Sequence, residues 1–175
     1  MKDVCGDHPA IFGWELGHLE LGDKYSLDSV FFDNIINHLL YGYSTDRFAS
    51  EEEYLERYPG DDLIDLIGFD LYDRGPEYAA TLGSCAKMVT KIAAEKGKIV
   101  AVTEAGGPIT KNPEWWTKTL LDALRPYKLS YVLVWRNAFN QPPNVAFGPY
   151  KGCPSEKDFV KFYNDPKTLF LKDIE

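Results

Sequence analysis

The sequence predicts an α/β fold in which parallel strands alternate with helices. Five apolar stretches of strand character begin near residues 9, 39, 63, 98 and 129. Their spacing is close to the roughly 30 residues that one βαβ unit occupies. Residues 98–102 form a β-branched, nearly unbroken apolar run, which is typical of a strand buried on both faces of a parallel sheet. We therefore expect helices to cover both faces of the sheet.

The first half of the chain contains three of these strands, predicted over residues 9–16, 38–44 and 63–69. Ser26 is a candidate N-cap for the apolar helical pattern of residues 27–36. Ser50 and Glu53 have the spacing of a capping box, which predicts a short helix that ends by Pro59.

The second half contains the other two strands and three helices. The strands are residues 98–102 and 129–134, and the helices are residues 77–96, 113–124 and 156–163. Gly97 terminates the long helix, and Asn112 with Pro113 supplies a cap and a first-turn proline for the next one. The tryptophans at positions 115–116, early in that helix, are expected to pack in the core.

The composition is that of a globular chain without the charge needed to bind nucleic acid. The 175 residues suffice for one domain with a substantial core, and 45% of them are hydrophobic. The formal net charge is −8 and no basic run is present, so we expect neither nucleic acid nor an anionic membrane as a partner. No glycine-rich phosphate loop follows a strand, and no cofactor is predicted.

Candidate metal ligands are sparse. The three cysteines lie far apart at Cys5, Cys85 and Cys153, and the three histidines are equally scattered. We therefore expect no metal site and no disulfide framework. No apolar run approaches the roughly 20 residues of a membrane span. The start of the chain lacks the basic residues and apolar core of a signal peptide, so no export signal is predicted.

Polar and aromatic side chains follow the predicted strands at their carboxyl ends. Because these ends share one edge of a parallel sheet, we expect the side chains to surround one crevice. The set comprises Glu15, Ser44, Asp70, Tyr72, Glu104, Trp135, Arg136 and Asn137. Aromatic faces stack on the C–H faces of sugar rings, while carboxylate, amide and guanidinium groups bind hydroxyls. The crevice therefore favours a sugar ligand.

Glu104 is the candidate catalytic residue. It follows the strand of residues 98–102, and glycoside hydrolysis uses two carboxyl groups, of which an ionised one serves as nucleophile when configuration is retained. Tyr72 is expected to donate its phenolic proton to that carboxylate and to orient it. Gly106 and Gly107 are expected to turn the backbone sharply and to leave room beside the carboxylate.

These residues also have structural interpretations. Glu104 is alternatively a solvated loop acid or the N-cap of a following turn. The rings of Trp135 and Tyr72 alternatively fill a core. Arg136 alternatively pairs with an acid such as Asp70 as a structural bridge.

Six segments of the chain match one known pattern in order and over nearly the whole length. They are HPAIFGWELGHLELG, YSTDRF, EEYLERYPGDDLIDLIGFDLYD, KIVAVTEAGG, PEWWTKTLL and LSYVLVWRNA. Together they resemble glycoside hydrolase family 26, the β-mannanase family. The resemblance implies a retaining, endo-acting hydrolase of β-1,4-linked mannans on a (β/α)8 barrel of TIM type.

The resemblance also implies roles for single residues. Glu104 is similar in position to the family's catalytic nucleophile at the end of strand seven. The implied substrate-binding residues are Asp70, Tyr72, Trp135, Arg136 and Asn137. Asp70 and Tyr72 resemble the residues at the end of strand six that line the site and position the nucleophile. Trp135 resembles the tryptophan at the end of strand eight that forms a sugar platform.

The chain departs from the family pattern in one large respect. The family's general acid/base is a glutamate directly after a histidine at the end of strand four, and this sequence contains no His-Glu pair. Strands two, three and four are expected to be absent, with the join near residues 34–38. The resemblance thus implies an incomplete barrel of about five strands, formed by residues 1–175 as a single partial catalytic domain.

Two functions follow from these expectations. The first is a hydrolase of the mannanase type, and the second is a non-catalytic remnant that binds mannan or mannooligosaccharide. Strands that flank the gap are expected to have exposed edges, which a homodimer would cover. The resemblance implies a secreted or periplasmic protein, although the sequence itself does not give the compartment.

Overall fold

The strands that the structure describes form one parallel sheet. The computed structural model of the protein describes residues 39–139 and 145–173. Its strands, in chain order, are β1 (Gly42–Thr45), β2 (Leu66–Tyr72), β3 (Ile99–Gly106) and β4 (Tyr131–Val134). They lie side by side in that order, and every neighbouring pair is parallel. Their carboxyl ends therefore meet at one edge.

Helices accompany this sheet. The α-helices of the described ranges are α1 (Glu51–Leu55), α2 (Tyr78–Lys96), α3 (Asp122–Leu124) and α4 (Glu156–Tyr163). A π-helical segment, Trp115–Leu121, continues directly into α3, and a 3-10 turn spans Leu171–Asp173. Of the helices in residues 39–139 and 145–173, none combines the length and the apolar character needed to cross a membrane.

The predicted strands and helices are confirmed where the structure describes them, with ends shifted by a few residues. Ser50 caps α1, because its Oγ accepts a hydrogen bond from the backbone N–H of Glu53 at 3.2 Å. Gly97 ends α2 in the left-handed conformation, at a φ of 66°. The predicted first strand with Glu15, the helix capped by Ser26 and the predicted join all lie outside the described residues.

The strand that carries Glu104 is longer than the sequence predicts. β3 continues through Glu104 to Gly106, whereas the sequence pattern ends the strand at Val102. The extension is stabilised by both neighbouring strands: Ala105 pairs with β2, and its carbonyl accepts a hydrogen bond from the N–H of Trp135 at 2.9 Å. The interpretation of Glu104 as a loop acid or as the cap of a turn is therefore wrong.

A β-bulge at Thr103 interrupts the register of β3. Val102 pairs with Phe69 of β2. The next residue of β2, Asp70, pairs with Glu104, which leaves Thr103 as the extra residue. The register with β4 shifts over the same stretch. Bulges re-aim side chains beside functional sites, and this bulge separates the apolar part of β3 from its polar carboxyl end.

The core lies between the sheet and the helices that pack on it. Its fully buried side chains include Tyr54, Ile67, Phe69, Leu82, Val89, Ile92, Val102, Trp115, Trp116 and Leu120. The two tryptophans are 0% and 1% exposed, which confirms their expected packing role. Tyr54 satisfies its buried hydroxyl by donating to the carbonyl of Gly68 at 2.8 Å. Large rings therefore supply much of the buried area.

Gly106 and Gly107 serve close packing. A Cβ on Gly107 would overlap the indole of Trp115. A Cβ on Gly106 would lie 2.6 Å from Cδ1 of Phe147 and 2.9 Å from Cδ1 of Tyr72. Neither glycine has a positive φ. The expected sharp turn begins at Gly107, whose carbonyl accepts a hydrogen bond from the N–H of Ile109 at 2.8 Å. The two glycines also allow aromatic rings to approach the end of β3, because they have no side chain.

Replacing Gly107 with alanine tests this packing. The added methyl group overlaps a buried ring, so we expect G107A to lower the free energy of unfolding by about 2–3 kcal/mol, as overpacked cores do. The matched control is G83A in α2, where a Cβ would meet nothing closer than the carbonyl of Ala123 at 3.5 Å. Urea unfolding measures both variants, and equal effects would contradict the packing role.

Candidate active site

Tyr72 and Glu104 form a hydrogen-bonded pair at the carboxyl edge of the sheet. The Oη of Tyr72 donates to Oε2 of Glu104 at 2.5 Å. Both side chains are half-buried, and they come from the neighbouring strands β2 and β3. The hydrogen bond predicted from the sequence is therefore present. A phenol that donates to a carboxylate at this distance holds the carboxylate in one orientation.

Asp70 lies beside this pair. It is directly opposite Glu104 in the register of β2 with β3. Its Oδ1 accepts hydrogen bonds from Thr103 Oγ1 at 2.7 Å and from Ser44 Oγ at 3.1 Å. The two hydroxyl oxygens also lie 2.5 Å apart. One polar cluster thus takes Ser44 from β1, Asp70 from β2 and Thr103 from β3.

The pKa of Asp70 is raised above its ordinary value. The main cause is burial of the carboxyl group, which disfavours its charged form. The hydrogen bond from Thr103 lowers the pKa, and the negative charge of Glu104 raises it. Two acids therefore share this edge of the sheet, and their mutual repulsion adds to the effect of burial on Asp70.

A groove of about 530 Å³ opens beside the pair. Its lining includes Asp70, Tyr72, Glu104, Asp46, Arg47 and Arg74. The volume is within the range of sites that hold small molecules. Among the residues that the structure describes, no cluster of His, Cys, Asp and Glu side chains has the arrangement of a metal site. The polar groups of this groove are suited to binding hydroxyls.

Trp135 lies at the end of β4 and is 38% exposed. Its backbone N–H donates to the carbonyl of Ala105, so the residue is anchored beside the strand that carries Glu104. The alternative in which Trp135 fills a core is therefore wrong. An exposed indole at this edge of the sheet offers an aromatic face to a ligand.

The loop after β4 is held by Asn137. Its Nδ2 donates to the carbonyl of Gly148 at 3.1 Å, and its Oδ1 accepts from the N–H of Gly148 at 2.8 Å. The same loop places the ring of Phe147 5.3 Å from the ring of Tyr72, measured between centroids. Asn137 thus supports the site through the loop. Direct contact of Asn137 and of the exposed Arg136 with a ligand stays a prediction.

Comparison with known proteins identifies the family. The family model of Glycosyl hydrolase family 26 matches residues 24–151, which is most of the chain. The chain belongs to glycoside hydrolase family 26. The resemblance of its sequence segments is thereby confirmed, and its four described strands form an incomplete α/β barrel of the (β/α)8 type.

The proteins to which the chain is similar include several mannanases. Mannan endo-1,4-β-mannosidase of Bifidobacterium adolescentis is 28% identical over an alignment 184 positions long, which takes in 90% of this chain. The structure of a GH26 β-mannanase from Bacteroides ovatus has a TM-score of 0.74 and 42% identity over 78% of this chain. A modular endo-β-1,4-mannanase from Cellulomonas fimi has a TM-score of 0.74 and 28% identity over 86% of it. The chain spans 18%, 40% and 36% of these proteins, respectively.

Sequence reasoning misses several residues of this family 26 site, among them Arg47 and Arg74 in the lining of the groove, and Thr103 and Phe147 beside it. Thr103 belongs to the polar cluster because of the bulge in β3, and the only sequence signal for it is a polar residue at the end of an apolar run. Phe147 reaches Tyr72 from a distant loop. Nothing in the local sequence connects these two rings, since the conformation of the loop depends on contacts such as the one between Asn137 and Gly148.

Replacing Asp70 with asparagine tests its raised pKa. The pKa of Asp70 is higher in the folded state than in the unfolded state. Its protonated carboxyl group therefore adds to the free energy of unfolding at a pH below the unfolded-state pKa, and this addition is lost as the pH rises through the folded-state pKa. We therefore expect the wild type to lose stability relative to D70N as the pH rises from about 3 to 7. Urea unfolding across this range measures the difference. A gain of wild-type stability relative to D70N as the pH rises would contradict the assignment. So would an equal loss of wild-type stability relative to D62N, the control that removes an exposed carboxylate.

Proposed function

We propose that the described strand ends form the nucleophile side of a retaining β-mannan hydrolase site. The observation that carries the proposal is the 2.5 Å hydrogen bond from Tyr72 to Glu104 at the carboxyl edge of the sheet. Attack on an anomeric carbon requires a carboxylate that is held in place and faces a groove. Membership in family 26 and the mannanase names of its relatives support mannan as the substrate.

In the proposed reaction, Glu104 is the nucleophile. One carboxylate oxygen forms a bond to the anomeric carbon while the bond to the leaving oxygen breaks, and the leaving oxygen takes the electron pair. Water then attacks the same carbon, passes one proton to the solvent and displaces the carboxylate, so that configuration is retained. Tyr72 orients the carboxylate in both steps. The negative charge of Asp70, where it is ionised, favours the positive charge that develops on the sugar ring.

The proposed substrate contacts come from two strand ends, those of β2 and β4. Trp135 offers its exposed face as a sugar platform, and Asp70 and Arg136 bind hydroxyls. Asn137 holds the loop that carries Phe147. The sequence contains no His-Glu pair, so the proposal assigns protonation of the leaving group to no residue of this chain. Residues 1–175 then act as one partial catalytic domain.

The second candidate function is binding of mannan or mannooligosaccharide without hydrolysis. Two observations favour it, namely the lack of a His-Glu pair in the sequence and the exposed indole of Trp135 at the carboxyl edge of the sheet. Both candidates use the same strand ends. They differ in whether Glu104 forms a covalent bond to the sugar, so a substrate whose leaving group needs no protonation discriminates between them.

The first test uses 2,4-dinitrophenyl β-mannoside, from which the phenolate leaves without a proton. We expect the wild type to release dinitrophenolate and to carry a glycosyl group on Glu104, detected by mass spectrometry of the intact protein and of its peptides. We expect E104A to release only the background amount. The control E114Q removes an exposed carboxylate outside the groove and is expected to match the wild type. Folded wild type that binds galactomannan but forms no adduct would contradict hydrolysis and support the binding function.

Replacing Tyr72 with phenylalanine removes the donor to the nucleophile and keeps the ring. We expect Y72F to form the glycosyl adduct about 10- to 100-fold more slowly, because the loss of one hydrogen bond to a charged group raises the activation free energy by a corresponding amount. Stopped-flow absorbance of the phenolate burst measures the rate. An unchanged rate would contradict the orienting role of Tyr72.

We also propose that exposed strand edges lead to a homodimer. In the described sheet, β1 and β4 are the outer strands. Unpaired backbone groups of an outer strand attract another chain. Sedimentation velocity at high protein concentration tests this, and we expect a dimer. A monomer at every concentration would rule it out.

A further inference from the structure

Asp73 joins the loop after β2 to the end of β3. Its backbone N–H donates to the carbonyl of Gly106 at 2.7 Å, which extends the pairing of Tyr72 with Gly106 by one hydrogen bond. Its Oδ1 accepts from the N–H of Gly75 at 3.1 Å, so the side chain also closes the turn that leads into α2. Asp73 therefore connects the strand that carries the phenol to the strand that carries the carboxylate.

Trp115 contacts Asp73 from the π-helical segment. Its Nε1–H donates to Oδ2 of Asp73 at 3.0 Å. The indole is fully buried, packs against Gly107 and stacks on Tyr78 with ring centroids 6.3 Å apart and planes inclined by 22°. A large ring in a close-packed site has little freedom to move. Its N–H is thus a fixed donor for the Asp73 carboxylate.

These contacts bear on the hydrogen bond between Tyr72 and Glu104. Tyr72 directly precedes Asp73, and Glu104 lies two residues before Gly106. The bond from Asp73 to Gly106 therefore sets the separation of the two strands just beyond the pair. A relative shift of about 1 Å would lengthen the 2.5 Å contact beyond hydrogen-bond range.

We infer that Asp73 and Trp115, here called the indole clamp, position Tyr72 against Glu104. Both are positioning residues, because they act through the phenol and not on the sugar. The effect of the clamp on glycosyl transfer rests on the proposed function. Its effect on the hydrogen bond between Tyr72 and Glu104 stands on geometry alone, so the two are tested separately.

The chain provides a matched pair of variants for the test. Trp115 and Trp116 are adjacent, equally buried, and each donates an indole N–H: the first to Asp73, the second to Ser155 Oγ at 3.1 Å. W115F and W116F therefore lose similar volume and one hydrogen bond each. Only W115F disrupts the indole clamp. Near-ultraviolet circular dichroism and melting temperature establish that both full-length variants are folded.

The kinetic measurement is the adduct-forming burst with 2,4-dinitrophenyl β-mannoside. We expect W115F to slow the burst by roughly 3- to 10-fold with little change in KM, and W116F to stay within about 2-fold of the wild type. In the Y72F background, W115F is expected to have no further effect, because the clamp acts through the phenol. Additive effects of W115F and Y72F, or equal effects of W115F and W116F, would overturn the inference.

A spectroscopic measurement tests the clamp without any turnover. The proton of a short O–H···O hydrogen bond gives a strongly downfield NMR signal, and its loss in Y72F assigns it to Tyr72. We expect this signal to move upfield or broaden in W115F and to be unchanged in W116F. An unchanged signal in W115F would overturn the inference even if the site proves inactive. If E104A and Y72F leave the burst unchanged, the proposed function fails while the NMR result still decides the clamp.

Substitutions of Asp73 give a second route if W115F does not fold. D73A removes both carboxylate contacts from a half-buried side chain, whereas D73N keeps one oxygen that can accept from the indole. We expect D73A to reproduce the slowed burst and the shifted signal, and D73N to restore part of both. A D73A protein with the wild-type burst and signal would also overturn the inference.

Discussion

The register between β2 and β3 is the constraint on which the rest of the site depends. Neighbouring parallel strands lie about 4.8 Å apart, so a side chain reaches a partner across the gap only from the correct position. The bulge at Thr103 places Glu104 opposite Asp70, and Tyr72 opposite Gly106. The long phenol then reaches back to Glu104, and Gly106 leaves room for its ring. One extra residue in β3 thus sets the geometry of both acids.

Two acids at one edge of a buried sheet carry an electrostatic cost that hydroxyl groups offset. Burial raises the pKa of Asp70, and the charge of Glu104 adds to this. Thr103 and Ser44 donate to Asp70, while Tyr72 donates to Glu104. Each carboxylate therefore has its own donors from neighbouring strands. In the proposed function, ionised carboxylates at this edge favour the positive charge that develops on the sugar ring.

Stability and site geometry share the same aromatic residues. Trp115 fills the core against Gly107, and its one polar atom is bonded to Asp73 beside the groove. Phe147 packs on Gly106 and on Tyr72 from the loop that Asn137 holds. Because these rings are close-packed, a change in the core is transmitted to the strand ends as a displacement. The fold therefore supports the carboxylate through rings that never contact the groove.

The sequence by itself determined the parallel α/β class, the approximate positions of most described elements, the family, and the pairing of Tyr72 with Glu104. The class, the elements and the pair follow from local signals, namely apolar runs, caps such as Ser50 and Gly97, and residues at strand ends. The family follows from the resemblance of whole sequence segments. Only the tertiary structure decided that Glu104 lies within β3, that Thr103 is bulged, and that Trp115 reaches Asp73. The physical reason is that register, bulges and ring packing arise between segments far apart in the chain, where no local pattern records them.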